Sequence, residues 1–449
     1  MIPTTRFAPS PTGRLHIGNL RAAVINWLFA RQQGGRFLLR LDDTDAARST
    51  PAFADAIRAD LAWAGLVPDA QYRQSDRFPL YEAALARLAT SGHAYPAYET
   101  PEELDIKRRL QRAAGKPPVY DRAALALTAQ DRARLEAQGR TPHWRFRLDT
   151  AAPVAWADLV RGPTHIDPAS LSDPIVKRED GGWLYMLPSV VDDIDMGITH
   201  IIRGEDHVSN SAVQKQMFEA LNAPVPAFAH LSLLTSTEGE LSKRLGSAGV
   251  DALRKAGIEP AALIAFLARL GTSDPIEPFA DPAPLIAAFD FARMGRATAR
   301  FDMEELAHLN ARTVHLLDYT AVADRLPPAI TPALWDMLRG NLKTVAEAAD
   351  WADIIAGTLA PPPVGEDAPY LAQARAHLPP APWDAATWSQ WTAALKAATG
   401  RKGRALFHPL RLALTGRDTG PEMAALLAAI GRERVVTRLA AVAAPVQAG

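Results

Sequence analysis

Hydrophobic positions near the start of the chain follow two different spacings. Thr4 to Ala8 reads as a short strand, whereas Val24, Ile25, Leu28 and Phe29 recur at the spacing of one helix face. Phe37-Leu38-Leu39-Arg40-Leu41, which follows Gly34-Gly35, is a second run of strand length. Strand, helix and strand in that order predict a βαβ unit. Farther on, the β-branched run from Thr199 to Gly204 predicts another strand, with a helix near Asn210 to Leu221 behind it. Trp144-Arg145-Phe146-Arg147 alternates aromatic and basic residues and predicts a strand exposing one cationic face. After Ser247 the pattern becomes largely helical. Breaks at Leu326-Pro327-Pro328, Ala360-Pro361-Pro362-Pro363 and Pro379-Pro380-Ala381-Pro382 separate amphipathic stretches such as Val345, Ala348, Trp351, Ile354, Ile355 and Leu359. Periodic large apolar residues in this Ala- and Pro-rich region predict a packed helical bundle.

A chain of 449 residues exceeds one ordinary core, so two to four domains are expected. With 49 basic and 50 acidic residues the net charge is −1, which gives no global attraction to nucleic acid. Any RNA surface must be local. Residues 101–147 hold eleven Lys/Arg against six Asp/Glu, and 401–438 hold eight against three. The absence of cysteine excludes disulfides, thiolate nucleophiles and cysteine zinc sites, and the eleven histidines show no metal-binding spacing. With no secretory signal and no apolar span of about 20 residues, a cytoplasmic protein without membrane association is expected.

The candidate chemistry lies where predicted strands end. The loop from Arg6 to Asn19 joins strand to helix, a junction where unpaired backbone N–H groups form an anion site. His16 stands where an imidazole reaches a phosphate, and Gly18 leaves room for a flat base. Arg40-Leu41-Asp42-Asp43-Thr44-Asp45 places three carboxylates beyond the second strand, at the edge where open parallel sheets bind ligands. Asp43 and Asp45 read as a solvated acidic turn. Val190-Val191-Asp192-Asp193 leads into Thr199-His200-Ile201-Ile202-Arg203-Gly204-Glu205-Asp206-His207, where a strand again ends in charged groups and a glycine.

Arg6-Phe7-Ala8-Pro9-Ser10-Pro11-Thr12-Gly13-Arg14-Leu15-His16-Ile17-Gly18-Asn19 resembles the histidine-isoleucine-glycine-histidine motif of class I aminoacyl-tRNA synthetases, and specifically the bacterial glutamyl-tRNA synthetase family. Asn19 replaces the last histidine. Gly239-Glu240-Leu241-Ser242-Lys243-Arg244-Leu245-Gly246-Ser247 resembles the second class signature, lysine-methionine-serine-lysine-serine, with Glu240 in place of its first lysine. Phe407-His408-Pro409-Leu410-Arg411-Leu412-Ala413-Leu414-Thr415-Gly416 is similar to a segment of the family's C-terminal domain. A shortened paralogue that glutamylates a modified tRNA base lacks that domain.

The resemblance implies an α/β fold: a Rossmann-like class I catalytic domain over 1–95 and 183–255, and an inserted acceptor-end-binding domain over 96–182. An all-α region follows, made of a stem-contact domain over 256–312 and a helical anticodon-binding domain over 313–449. It implies ATP-dependent attachment of glutamate to tRNA, with Mg²⁺ accompanying ATP, no zinc, and a monomer. Arg6 and Arg203 would hold the substrate's carboxylate beside Tyr185, and Ser10 and Asp42 would receive its α-amino group. His16, Gly18, Asn19, Gly204 and His207 would surround ATP. Ser242, Lys243 and Arg244 would meet its phosphates, and His16 and Lys243 are the catalytic candidates. The family often has Glu where Asp42 stands. The tRNA partner is tRNA(Glu), and the sequence leaves tRNA(Gln) open. A helix near Leu338 to Lys343 offers Arg339 or Lys343 as the discriminating cation, with Asn341 as the neutral alternative. A tRNA-binding paralogue without chemistry is the remaining reading, supported by Glu240 alone.

Overall fold

The computed structural model describes residues 2–236, 249–357, 359 and 365–443. The chain divides into two compact units, Met1–Ala256 with Leu263–Met303, and Gly257–Ala262 with Glu304–Gly449. The 256–312 segment is therefore shared between them.

The first unit begins as the hydrophobic pattern predicts. β1 (Thr4–Phe7), α1 (Ile17–Gln32) and β2 (Arg36–Leu41) form the βαβ unit, with β1 and β2 paired in parallel from Thr4 opposite Arg36. Helix α1 is buried on more than one face, because Leu20 to Ala30 are nearly all enclosed, including Arg21 and Asn26. After α2 (Pro51–Trp63), β3 (Ala70–Arg73) extends the parallel sheet on the outer side of β2. Next come α3 (Phe78–Thr90), β4 (Ala94–Ala97), α4 (Pro101–Ala113), α5 (Ala129–Ala137) and β5 (His143–Phe146). These are followed by β6 (Val154–Asp158), β7 (Gly162–Ile166), β8 (Ile175–Lys177), α6 (Met186–Asp195) and β9 (His200–Gly204). α7 (Val208–Ala220) and β10 (Ala227–Leu231) complete the sheet region.

Strands β7, β6, β10 and β9 form one sheet in that order, with β6, β10 and β9 mutually parallel. Thr199 N donates to Thr4 O at 3.0 Å and Thr4 N to Thr199 Oγ1 at 2.8 Å, so β9 lies beside β1. The inserted segment keeps only part of itself separate: β4, β5 and β8 make a small antiparallel sheet, while β6 and β7 join the main one. Val190 to Asp193 lie inside helix α6. A short strand, Ala299–Phe301, pairs in parallel with Leu234–Ser236, so the stretch after residue 256 is not purely helical.

The cationic face expected at Trp144 to Arg147 is half covered. Arg147 is exposed, but Arg145 is buried, stacked 3.7 Å over the Tyr120 ring and donating to Asp173 O at 2.7 Å. Alternation assigns side chains to faces, and the chain around Tyr120 then covers one of them. Nearby cations are also paired, Lys107 with Asp121, Arg122 with Asp173 and Arg140 with Glu103.

The second unit is helical around one core. Trp335 and Trp391 are fully buried and donate to Leu317 O (2.8 Å) and Ala374 O (2.9 Å), satisfying their indole N–H groups. Val345, Ala348, Trp351, Ile354 and Ile355 all enter this core, and Leu359 packs against it. The helix expected at Leu338 to Lys343 ends at Leu338. A single 3₁₀ turn over Arg339–Asn341 follows, because Arg339 donates back to Leu317 O at 3.0 Å. No helix among the described residues is long and apolar enough to cross a membrane.

Candidate active site

The carboxyl ends of β1, β2 and β9 open onto one cavity of about 690 Å³. It is lined by Arg6, Ser10, His16, Gly18, Asn19 and Asp42, and by Tyr185, Arg203, Gly204 and His207 from the second half of the unit. Every candidate residue within the described chain is therefore brought to one place. Ser242, Lys243, Arg244 and Glu240 lie outside the described residues.

The loop after β1 is held by backbone bonds. Asp42 N donates to Pro9 O at 3.0 Å and Thr50 N to Pro11 O at 3.2 Å, which ties the loop to the end of β2. His16 is the residue before the first turn of α1, in extended conformation, with its side chain free of any capping bond. The imidazole is thus left exposed at the helix N-terminus, where backbone donors converge. A Cβ at residue 18 would sit 3.2 Å from His16 Cε1, so glycine there leaves the ring its space. Likewise, a Cβ at Gly204 would lie 2.4 Å from Asp206 Oδ1.

Beneath the cavity floor is a buried ionic lattice that the sequence only hinted at. Arg40, wholly buried, donates through Nε to Asp42 Oδ1 at 2.7 Å, through Nη2 to Asp42 Oδ2 at 3.3 Å, and through Nη1 to Asp193 Oδ1 at 2.6 Å. Arg6 Nε reaches the same Asp193 oxygen at 3.1 Å. Asp192 accepts from Gln74 (2.9 Å), Arg77 (2.6 Å) and Tyr81 (2.9 Å). Burial, with Asp192 and Asp193 nearby, pushes the Asp42 carboxyl up to about 6 despite the opposing Arg40. Asp43 is not the solvated carboxylate expected: it is buried and accepts from Ser75 N (2.8 Å), Ser75 Oγ (2.9 Å) and Arg73 Nε (3.2 Å). Asp45 bonds Arg48 Nε at 2.6 Å at the surface.

Arg203 differs from Arg6 in its partners. It donates to Tyr185 OH, Ser211 Oγ and Gln214 Oε1, each at 2.6 Å, and all three are uncharged. Burial lowers its pKa, which marks a cation short of countercharge. The His207 ring lies 5.9 Å from that of Tyr185, and burial lowers its pKa too. Arg21 lines the same cavity and donates to Ser232 O (2.7 Å) and Leu270 O (2.9 Å); burial brings it down to about 10. Among the described residues no cluster of three or more His, Cys, Asp or Glu could hold a metal ion.

A parallel sheet whose strand ends meet a helix N-terminus and the buried Arg6, Arg21 and Arg203 around one cavity is the arrangement of a nucleotide-using enzyme. Residues 3–308 match the family of tRNA synthetases class I (E and Q), catalytic domain, and residues 315–443 match the anticodon binding domain family. The chain is 60% identical over 439 residues to "Glutamate--tRNA ligase 1" of Rhizorhabdus wittichii, covering 98% of this chain and 99% of that one. It is 57% identical to "Glutamate--tRNA ligase 2" of Sphingopyxis alaskensis, over 98% and 99% of the two chains. The crystal structure of a glutamate tRNA ligase from Elizabethkingia meningosepticum in complex with its amino acid superposes with a TM-score of 0.85 at 26% identity, over 98% and 99% of the chains. The chain belongs to the glutamate-tRNA ligase family of class I aminoacyl-tRNA synthetases.

Proposed function

We propose that the protein attaches L-glutamate to the terminal ribose of tRNA(Glu) in two steps, with ATP entering as its Mg²⁺ complex. In the first, an oxygen of the glutamate α-carboxylate attacks the α-phosphorus of ATP. The new O–P bond gives glutamyl-adenylate, and the bond to the β-phosphate breaks to release pyrophosphate. In the second, a ribose hydroxyl of the tRNA attacks the activated carbonyl and AMP leaves. No covalent enzyme nucleophile is required, because positioning and charge stabilisation suffice for phosphoryl and acyl transfer of this kind.

Each residue has a stated part. Arg203, with Arg6 beside it and Tyr185 bonded to it, holds the side-chain carboxylate. Asp42 and Ser10 take the α-ammonium, and the bidentate grip of Arg40 fixes which Asp42 lone pairs face the cavity. His16, Gly18, Asn19, Gly204 and His207 enclose ATP. Lys243, with Ser242 and Arg244, meets the charge that grows on the departing pyrophosphate.

The observation that carries the reading is the convergence of Arg6, Arg203, Asp42 and His16 on one cavity at the strand ends. Aminoacylation of purified tRNA(Glu) with each amino acid tests it. Glutamine would leave a buried cation unpaired, so glutamate should be preferred by at least about a hundredfold. Equal charging with glutamine refutes it. For tRNA choice we propose partial charging of tRNA(Gln) with glutamate. Its support is that Arg339 is drawn to Leu317 O while Asn341 is exposed. A preference for tRNA(Glu) above about a thousandfold in kcat/KM, compared at one salt concentration, rejects that choice.

A further inference from the structure

Behind Arg203 runs a chain of buried polar side chains that the steps above do not use. Asp158, at the end of β6, accepts on Oδ1 from the backbone N–H groups of Val160 (3.1 Å), Arg161 (2.9 Å) and His230 (3.2 Å). On Oδ2 it accepts from His230 Nδ1 at 2.5 Å and Trp156 Nε1 at 3.3 Å. Burial alone would raise this carboxyl, but the bonds from His230 and Arg161 outweigh it and hold the group down at about 2. It is a carboxylate, so His230 Nδ1 carries the hydrogen. Burial lowers the pKa of the imidazole, which keeps it neutral and leaves Nε2 as an acceptor. Ser211 Oγ lies 2.8 Å from that Nε2. The His207 carbonyl lies farther from the same Oγ, at 3.3 Å, so the hydroxyl donates to the nearer Nε2 and its lone pairs are left for Arg203 Nη2.

The sequence of donors is therefore Arg203 to Ser211, Ser211 to His230, and His230 to Asp158, three links among four residues, one each from β9, α7, β10 and β6. Ser211, His230 and Asp158 are all buried. Arg203 Nε and Gln214 Nε2 are also buried and have no partner among the described residues. The guanidinium thus sits with neutral acceptors on one side and unmet donors on another. Arg6, by contrast, has Asp193 directly against it.

We propose that Asp158 and His230 are positioning residues for Arg203. Acting through Ser211, they fix the orientation of its guanidinium and supply a negative charge at a distance. A carboxylate placed directly on Arg203 would compete with the carboxylate of the amino acid. One placed two side chains away supports the buried cation and leaves its free edge open to the substrate. The inference rests on the assignment of Arg203 to the glutamate side chain.

The test is ATP–pyrophosphate exchange with the full-length enzyme in the presence of saturating tRNA(Glu), measuring KM for glutamate and for ATP separately, with circular dichroism and thermal melting to confirm folding. Ser211→Ala and His230→Phe should each raise KM for glutamate by about ten- to hundredfold, the range for a hydrogen bond to a charged group, and leave KM for ATP within about twofold. The double variant should be no worse than the poorer single one, since both cut the same chain. His230→Gln, which can present an acceptor to Ser211, should recover part of the loss, whereas His230→Asn should not. Arg203→Gln separates the two ideas. If it leaves KM for glutamate unchanged, the assignment of Arg203 fails and this inference falls with it. If Arg203→Gln raises that KM but Ser211→Ala does not, the relay alone is overturned. Additive losses, or equal shifts in both KM values, also overturn it; if His230→Phe does not fold, Ser211→Ala decides.

Discussion

Acid should switch off glutamate capture through one carboxyl, Asp42. Its side chain is nearly enclosed, and its pKa stands at about 6 because burial and the neighbouring Asp192 and Asp193 outweigh the grip of Arg40. At pH 5 a group of that pKa is about one-eleventh ionised, and at pH 7 about ten-elevenths. If only the carboxylate receives the α-ammonium, kcat/KM for glutamate in pyrophosphate exchange with saturating tRNA(Glu) should fall about tenfold between pH 7 and pH 5, since that ratio reports groups of the enzyme before glutamate binds. Asp42→Asn removes the charge. Its plateau should drop by about ten- to hundredfold, and the inflection near pH 6 should vanish. An Asp42→Asn enzyme with the same inflection, or a wild-type profile flat down to pH 5, would refute the assignment. The stability effect runs in the opposite direction. Because the folded pKa lies above the ordinary aspartate value of 3.8, this carboxyl's contribution is fully present below about pH 4 and is lost as pH rises through 6, by about 3 kcal/mol. Urea titrations of the wild type and Asp42→Asn across that window measure it.

Three further outcomes are expected. Gly18→Ala brings a methyl group to 3.2 Å from the His16 ring, so KM for ATP should rise about tenfold with little change for glutamate; an unchanged KM for ATP would show that the ring moves aside freely. Lys243→Ala should lower turnover by about two to three powers of ten while altering glutamate affinity little, and near-wild-type turnover would pass the role to another cation. In the helical unit, Gly420 has φ +151° and a Cβ there would lie 2.4 Å from Trp351 Cη2. Gly420→Ala should therefore cost about 2 kcal/mol in denaturant unfolding, and an unaltered midpoint would contradict that contact.

The parts of the fold visible in the sequence are those governed by local spacing. The βαβ start, the strand ending at Gly204 and the amphipathic run through Trp351 follow from periodicity, which reports burial within one element. Arg6, Asp42 and Arg203 were singled out by the resemblance of their motifs, and the structure brings them to one cavity because strand ends in a parallel sheet share one edge. What stayed hidden depends on which distant element covers a face. Arg145 alternates correctly but meets Tyr120, and Asp43 meets Ser75. His230 and Asp158 are 72 positions apart, and nothing local to either announces their contact. Arg40 did carry a signal: a guanidinium in the middle of an apolar strand requires buried acids, and Asp192-Asp193 was the pair available to supply them. Arg339 misled for the reverse reason, since a favourable helix residue was captured by a carbonyl 22 positions earlier.

The membership of β6 and β7 in the main sheet bears on how this protein can be taken apart. Between residues 96 and 182 the chain looks like a detachable cassette, the sort of segment one would exchange between relatives to alter RNA preference. Excising it would strip β6, and β7 beyond it, from the side of β10 at Phe228, leaving that strand an uncovered edge open to self-association. It would also take Asp158 away from His230. A graft that keeps residues 154–166 in place and replaces only what lies on either side respects the seam along which the chain is actually divided.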